Sequence, residues 1–74
     1  MLFGERLRNE RKKNNLSAQT LSELCGVARS YITLIENGKR LPGKKVIPKI
    51  AQALNINRTN VVNWYLEDLK QKLL

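Results

Sequence analysis

Hydrophobic residues recur at helical spacing along five separate stretches of the chain. A repeat of three or four residues indicates an amphipathic helix with one buried face. The stretches predict helices at about residues 3–13, 18–25, 28–36, 47–54 and 58–72. We therefore expect an all-α fold.

The second and third predicted helices form the most informative pair, because a tight turn at residues 26–27 joins them. On a helical wheel of ~100° per residue, both have a buried and an exposed side. The expected inward residues are Ala18, Leu21, Leu24 and Cys25 in one helix, and Ala28, Ile32, Ile35 and, at the margin, Tyr31 in the next. The second of these helices turns outward Arg29, Ser30, Thr33, Leu34 and Asn37. Such a pair forms a helix-turn-helix; the alternative is a helical hairpin of any small bundle.

Local residues define the ends of the predicted helices. Residues 14–15, both asparagine, break the first helix, and Ser17 is a favourable N-cap for the second. Gly38 can adopt the left-handed conformation that ends the third helix. Pro48 has no N–H donor and is tolerated in the first turn of a helix, so the fourth helix is predicted to begin near Ile47. Asn57 is expected to cap the last helix.

The composition excludes several classes of function. The chain contains one cysteine and no histidine, so it offers no zinc cluster and no Ser-His or Cys-His catalytic pair. It also lacks a glycine-rich phosphate loop, and we expect no enzyme activity, cofactor or metal. No apolar run approaches the length of a membrane span or a signal peptide, which predicts a cytoplasmic protein. Cys25 is expected to pack against a partner helix; a reactive thiol is the alternative.

The chain has a formal net charge of +8, and its positive charge is concentrated in one part of the sequence. Residues 1–58 hold twelve Lys and Arg against four Asp and Glu, whereas residues 59–74 hold two of each. All the net charge therefore lies on the part that contains the predicted helix-turn-helix. A basic domain favours a polyanionic partner. One alternative is that the charge only serves solubility. The others are that the polyanionic partner is RNA or an acidic membrane surface.

The residues around the turn resemble a known family. Their spacing is L-(x)2-L/C-G-V-(x)4-I-(x)2-I-E-N-G, from Leu21 to Gly38. This pattern resembles the Cro/CI-type (XRE-like) helix-turn-helix domains of bacterial and phage repressors, and the resemblance covers roughly residues 3–62. It implies a five-helix, lambda-repressor-like bundle whose partner is double-stranded DNA in a bacterial or phage-encoded, nucleoid-associated setting.

The resemblance also implies which side chains read bases. The base-facing positions of the family fall on Arg29, Ser30, Thr33 and Leu34. Arginine can hold guanine through two parallel hydrogen bonds, Ser and Thr are adaptable, and an apolar group can meet the thymine methyl. For Leu34, a contact with a neighbouring subunit or with the loop at residues 39–45 is the alternative.

A second set of residues is expected to contact the DNA backbone. Its members are Ser17, Gln19, Tyr31, Asn37, Lys39 and Arg40. The N terminus of the second helix exposes N–H groups that can hold a phosphate. The family usually places a glutamine directly after the cap, whereas here Ala18 stands there and Gln19 follows. Alternatively, the basic loop is a solvated charge run, and Tyr31 packs over the second helix.

One ion pair is expected from the family pattern. Arg11 lies one turn beyond Leu7, on the inward side of the first helix. Family members often pair an arginine here with the glutamate that ends the third helix, which is Glu36. We therefore expect a partly buried Arg11–Glu36 pair; a solvated or phosphate-bound Arg11 is the alternative.

The predicted last helix, residues 58–74, is longer than the family fold requires. Its apolar stripe contains Val61, Val62, Tyr65, Leu66, Leu69 and Leu73, with Trp64 at the edge. Exposed apolar patches mark association, so we expect a dimer interface made of Trp64, Tyr65, Leu66, Leu69 and Leu73. The alternative is a helix that folds back over the first and fourth helices. The two can coexist, with Tyr65 inside and Leu69 or Leu73 at the dimer interface. With 74 residues, a single domain over residues 1–74 is expected.

The function that these features predict is a sequence-specific transcriptional regulator. We expect a repressor that binds a pseudo-palindromic operator as a homodimer. A restriction–modification controller protein is a related alternative. An antitoxin that grips its toxin through the last helix, and a general nucleic-acid binder, are alternatives of other classes. If the chain is part of a longer protein, a C-terminal regulatory domain is a further possible partner.

Overall fold

The computed structural model describes residues 2–74, which form five α-helices and no strand. The helices are α1 (Phe3–Lys13), α2 (Ala18–Cys25), α3 (Arg29–Glu36), α4 (Ile47–Leu54) and α5 (Arg58–Leu73). The predicted all-α fold is confirmed, and the predicted bounds agree within one residue. Residue 1, the first position of the predicted domain, lies outside the described residues. No helix within residues 2–74 is long and apolar enough to cross a membrane.

The predicted caps are present. The Ser17 hydroxyl accepts the N–H of Thr20 at 3.0 Å, and the Asn57 side chain accepts the N–H of Thr59 at 2.8 Å. Each satisfies a donor that the first turn of a helix leaves unpaired. Gly38 has φ of 76°, in the left-handed region that ends α3. Residues 14–15 and Asn57 therefore separate the helices where the sequence indicated.

Ten apolar side chains from all five helices form the core of the described chain. They are Phe3, Leu7, Leu21, Cys25, Ile32, Ile35, Ile50, Ala51, Leu54 and Val61. Within it α2 packs against α3 and α4, α1 against α3 and α5, and α4 against α5. Full burial of one large aliphatic side chain contributes about 1.5–3 kcal/mol. The core therefore fixes which side of α3 faces outward.

Two of the expected inward residues are exposed. Leu24 is 55% exposed, because the buried side of α2 is centred on Leu21, Ser22 and Cys25. Leu24 lies about 100° from Cys25 on the helix. Ala28 is also exposed, since it is the extended N-cap of α3 and precedes the first helical residue. For these two residues the prediction was wrong.

A glycine allows α1 to approach the end of α3 closely. Gly4 is buried in the first turn of α1. A Cβ atom there would fall against the carbonyl oxygen of Ile35 and 2.8 Å from that of Glu36. Real Cβ atoms do not approach backbone oxygens so closely. Any larger residue would therefore push α1 away from α3.

The last helix is tied to the start of the first. The buried carboxylate of Asp68 accepts the N–H of Phe3 at 2.9 Å, and the Lys72 ammonium lies 3.3 Å from its second oxygen. The Trp64 ring packs edge-on against Phe3, with centroids 6.1 Å apart. Arg6 and Glu67 add an exposed pair at 3.1 Å. One side of α5 therefore folds back over α1, the alternative left open above.

Candidate nucleic-acid interface

The outward side of α3 is free of contacts that would cover it within the described chain. Arg29, Ser30, Thr33 and Leu34 are all exposed, and these four residues alone line one open groove of about 410 Å³. We call this surface the α3 groove. The opposite side of the helix is buried through Ile32 and Ile35. The structure therefore brings the four expected base readers together on one accessible surface.

The chemistry of the α3 groove is mixed. Thr33 donates its hydroxyl hydrogen to the carbonyl oxygen of Arg29 at 3.2 Å, within the same helix. Leu34 remains 43% exposed. Arg29 makes no ion pair within residues 2–74. The groove therefore combines a free guanidinium with an otherwise largely apolar lining.

Tyr31 joins α3 to the basic loop (residues 39–45). Its hydroxyl accepts the N–H of Gly43 at 2.8 Å, and the Arg40 guanidinium lies 4.4 Å from its ring centroid. A cation stacked on an exposed aromatic ring gains about 0.5–1 kcal/mol. The ring also packs against the core. Tyr31 therefore anchors the loop beside α3, a role that the sequence did not predict.

The side chains at the start of α2 that were expected to contact the DNA backbone already make hydrogen bonds within the chain. The Ser17 hydroxyl both accepts the N–H of Thr20 and donates to its hydroxyl at 2.9 Å. The Gln19 amide donates to Glu23 at 3.4 Å. The backbone N–H groups of the first turn of α2, which a helix leaves without an intrahelical partner, are the further donors available to an anion here. Lys39, by contrast, is exposed in the basic loop.

The expected Arg11–Glu36 ion pair is confirmed. Arg11 donates to both carboxylate oxygens of Glu36, at 2.7 and 3.0 Å. A third hydrogen bond runs to the carbonyl oxygen of Leu16 at 2.9 Å. The hydrogen bond to Glu36 raises the pKa of Arg11 above its ordinary value, which keeps the guanidinium charged. This cluster fixes α1 and the loop after it to the C-terminal end of α3.

A second arginine shares the Glu36 carboxylate. Arg8 donates to Glu36 at 3.3 Å and to the side-chain oxygen of Asn37 at 3.0 Å. The amide oxygen of Asn37 only accepts, so its NH₂ is the group that can donate to a phosphate. The sequence signal was the spacing of Arg8 and Arg11, three residues apart on one helix. Sequence reasoning had assigned only Arg11 to the pair.

Cys25 is a packing residue in this structure. Its side chain is fully buried in the core, as expected. Burial raises the pKa of the thiol, and the positive charge of Lys49 offsets this only in part. A raised pKa lowers the fraction of reactive thiolate at neutral pH.

The expected dimer residues fall into two groups. Trp64 and Tyr65 pack against the core of their own chain. Leu66 and Leu73 are 55% and 85% exposed, and Leu69 is half-buried without joining the core. Together with Val62, 36% exposed, these three leucines follow the 4-3-4 spacing of a helix–helix seam. We call this set of four residues the α5 stripe.

Comparison with known proteins agrees with this geometry. A model of the helix-turn-helix family matches residues 7–59. The chain belongs to the helix-turn-helix family. The expected Cro/CI-type membership and lambda-repressor-like five-helix fold are thereby confirmed.

Named relatives of this helix-turn-helix chain include regulators. The HTH-type transcriptional repressor RghR of Bacillus subtilis is 44% identical over 55 residues, 73% of this chain. The matched segment is only 41% of the length of RghR.

Solved structures of helix-turn-helix proteins have the same fold. The restriction-modification controller protein C.AhdI of Aeromonas hydrophila is 41% identical, with a TM-score of 0.75. The match covers 80% of this chain and 89% of that one. The P22 c2 repressor, solved with a synthetic operator, is 26% identical with a TM-score of 0.77, and the match covers 82% and 92%.

Proposed function

We propose that this chain is a sequence-specific DNA-binding transcriptional regulator that represses by occupying an operator. The observation that carries the proposal is the uncovered α3 groove beside a basic loop that Tyr31 anchors. An exposed helix of this kind fits the major groove of B-DNA, which is wide enough to admit it. The P22 c2 repressor, which has the same fold, was solved in complex with a synthetic operator, and this supports DNA as the partner.

Base reading and backbone binding are assigned to different residues. Arg29, Ser30, Thr33 and Leu34 read base edges from the α3 groove. The phosphate contacts come from Lys39, Arg40, the Asn37 amide, the Tyr31 hydroxyl and the first turn of α2 at Ser17 and Gln19. Backbone contacts fix the position of the protein, and base contacts carry the sequence information.

The α5 stripe is proposed to form a homodimer interface. A two-fold dimer presents the two α3 helices to half-sites about 34 Å apart, one helical turn of DNA. The operator is then pseudo-palindromic. In a bacterial or phage-encoded setting the dimer works in the cytoplasm, on chromosomal DNA.

Selection from random duplex DNA tests this proposal. Purified protein is incubated with a random pool, and bound duplexes are amplified and sequenced over several rounds. We expect a symmetric consensus with half-sites about one turn apart. A pool that stays random at moderate salt would instead indicate a general nucleic-acid binder. An asymmetric single half-site would refute the dimer while retaining sequence-specific binding.

A restriction–modification controller is the second candidate. The match to C.AhdI covers 89% of that chain, whereas the match to RghR covers 41% of the repressor. The selected operator distinguishes the two, since a controller site is expected upstream of the genes for a restriction endonuclease and its methyltransferase.

A further inference from the structure

The cluster around Glu36 contains one more guanidinium than its carboxylate requires. Arg11 already donates to both oxygens of Glu36, at 2.7 and 3.0 Å, whereas Arg8 donates to one of them at 3.3 Å. The shorter contact of Arg8 is with the side-chain oxygen of Asn37, at 3.0 Å. The Arg8 side chain is also 43% exposed, against 13% for Arg11. Neutralisation of Glu36 therefore does not account for Arg8, whose closest partner is Asn37.

The contact with Arg8 determines how the Asn37 amide is oriented. A guanidinium only donates hydrogen bonds, so the amide oxygen faces Arg8 and the NH₂ group is left for another partner. That NH₂ makes no hydrogen bond within residues 2–74, and Asn37 is exposed. The terminal torsion of a free asparagine is broad and roughly two-fold, so without Arg8 the oxygen and the NH₂ would exchange places. An outward oxygen would repel a phosphate, because both groups only accept.

Asn37 stands where α3 passes into the basic loop. It is the C-cap of α3, its N–H donates to the carbonyl oxygen of Thr33 at 3.0 Å, and Lys39 follows two residues later. The helix therefore holds the backbone of Asn37, and the side-chain torsions are what remains to be fixed. Arg8 fixes them from α1, a helix outside the helix-turn-helix.

On the basis of the proposed function, we propose that Arg8 is a positioning residue for the phosphate contact of Asn37. Arg8 holds the amide oxygen, so that the NH₂ donates to a phosphate oxygen without first having to be oriented. Orientation before binding reduces the ordering cost of the contact. Arg8 acts through Asn37 and does not itself bind the phosphate.

A double-mutant cycle on DNA affinity tests this coupling. The variants are Arg8→Ala, Asn37→Ala and the double variant, and the probes are the selected operator and a random duplex. Asn37→Ala should weaken binding to both duplexes about tenfold, because a hydrogen bond to a charged group is lost. Arg8→Ala should weaken both about threefold, because the NH₂ then points outward only part of the time. In the Asn37→Ala background, the effect of Arg8→Ala should nearly vanish.

Lys12→Ala is the control for the loss of one positive charge. Lys12 is exposed on the same helix and makes no ion pair within residues 2–74. Its effect on affinity should be the same with and without Asn37. The salt dependence adds a second readout, because loss of a cation that binds a phosphate flattens the salt slope by about one. Arg8→Ala should leave the slope near that of the wild type, unlike Lys39→Ala.

The orientation of the amide is also measurable without DNA. The NMR order parameter of the Asn37 side-chain NH₂ should fall in Arg8→Ala and stay unchanged in Lys12→Ala. Urea unfolding of each variant confirms that it is folded under the assay conditions.

The outcomes separate this inference from the proposed function. An equal loss from Arg8→Ala in both backgrounds, or an unchanged order parameter, would overturn the positioning role and leave DNA binding intact. A salt slope flattened as much as in Lys39→Ala would also overturn it, because Arg8 would then bind a phosphate directly. Wild-type affinity in Asn37→Ala would remove the contact that Arg8 is proposed to position. A wild-type protein that binds no duplex would overturn the proposed function and this inference with it.

Discussion

Tyr31 connects the α3 groove to the basic loop at the scale of a single residue. Its backbone belongs to α3, its hydroxyl accepts the Gly43 N–H, and the Arg40 guanidinium stacks on its ring. These two contacts hold the loop in one position relative to α3 without DNA. Such preorganisation reduces the ordering cost of binding.

Removal of the Tyr31 hydroxyl should loosen the basic loop. In Tyr31→Phe we expect faster hydrogen exchange at the Gly43 amide, because a hydrogen bond worth about 0.5–1.5 kcal/mol is lost. Affinity for operator and random DNA should fall together. Exchange measured by NMR checks this. The matched control is Tyr65→Phe, which should leave the Gly43 amide unchanged; equal exchange in the wild type and Tyr31→Phe would contradict the role.

Sequence reasoning predicted the α3 groove but not the contacts around it. The wheel position of Ile32 and Ile35 fixes the rotation of α3, and the four groove residues follow from it. The Tyr31–Gly43 contact depends on how a loop folds over twelve residues of chain. Helical periodicity carries no information about such a loop.

At the scale of helices, Glu36 is the junction between α1 and α3. Its buried carboxylate forms ion pairs with Arg11 and Arg8, and Gly4 allows the two helices to approach closely. The family pattern predicted Arg11 because the pair recurs at fixed positions. Neither Gly4 nor the Asp68 cap on Phe3 was predicted, since both depend on which helix ends meet in three dimensions.

Neutralising Glu36 should destabilise the chain far more than neutralising an exposed carboxylate. Breaking a buried ion pair from one side costs about 3–5 kcal/mol, so Glu36→Gln should lose most of that range. Glu10→Gln is the control: Glu10 forms an exposed pair with Lys13 at 3.5 Å, a kind worth about 0.3–0.5 kcal/mol. Urea unfolding of both variants measures the difference. Equal midpoints would show that Glu36 is not a stabilising junction.

At the scale of the whole molecule, the net charge and the α5 stripe lie in different parts of the chain. The net charge lies in residues 1–58, which contain the α3 groove and the basic loop, whereas the α5 stripe lies in the last helix. In the proposed function, this division separates DNA binding from self-association. The sequence predicted the division from composition. It assigned Trp64 and Tyr65 to the dimer interface and left their folding back onto the chain as the alternative, and the packing of both rings against the core follows that alternative.

A charge placed on the α5 stripe should dissociate the proposed dimer without unfolding the chain. Leu66 is 55% exposed, so Leu66→Asp costs little in the monomer and opposes burial against a second copy. Gln71→Asp adds the same charge away from the stripe and serves as the control. Sedimentation should give a monomer for the first variant and a dimer for the second. A wild-type monomer, both alone and on operator DNA, would refute the interface.

In the proposed complex, α3 reads bases while the basic loop binds phosphates. The most direct measurement is the ratio of operator to random-duplex affinity for Arg29→Ala and Lys39→Ala across a salt series. Arg29→Ala should lose about 1–3 kcal/mol on the operator alone. Lys39→Ala should weaken both duplexes alike and flatten the salt slope by about one. If Arg29→Ala weakened random DNA as much as the operator, the assignment of α3 as the reading helix would be contradicted.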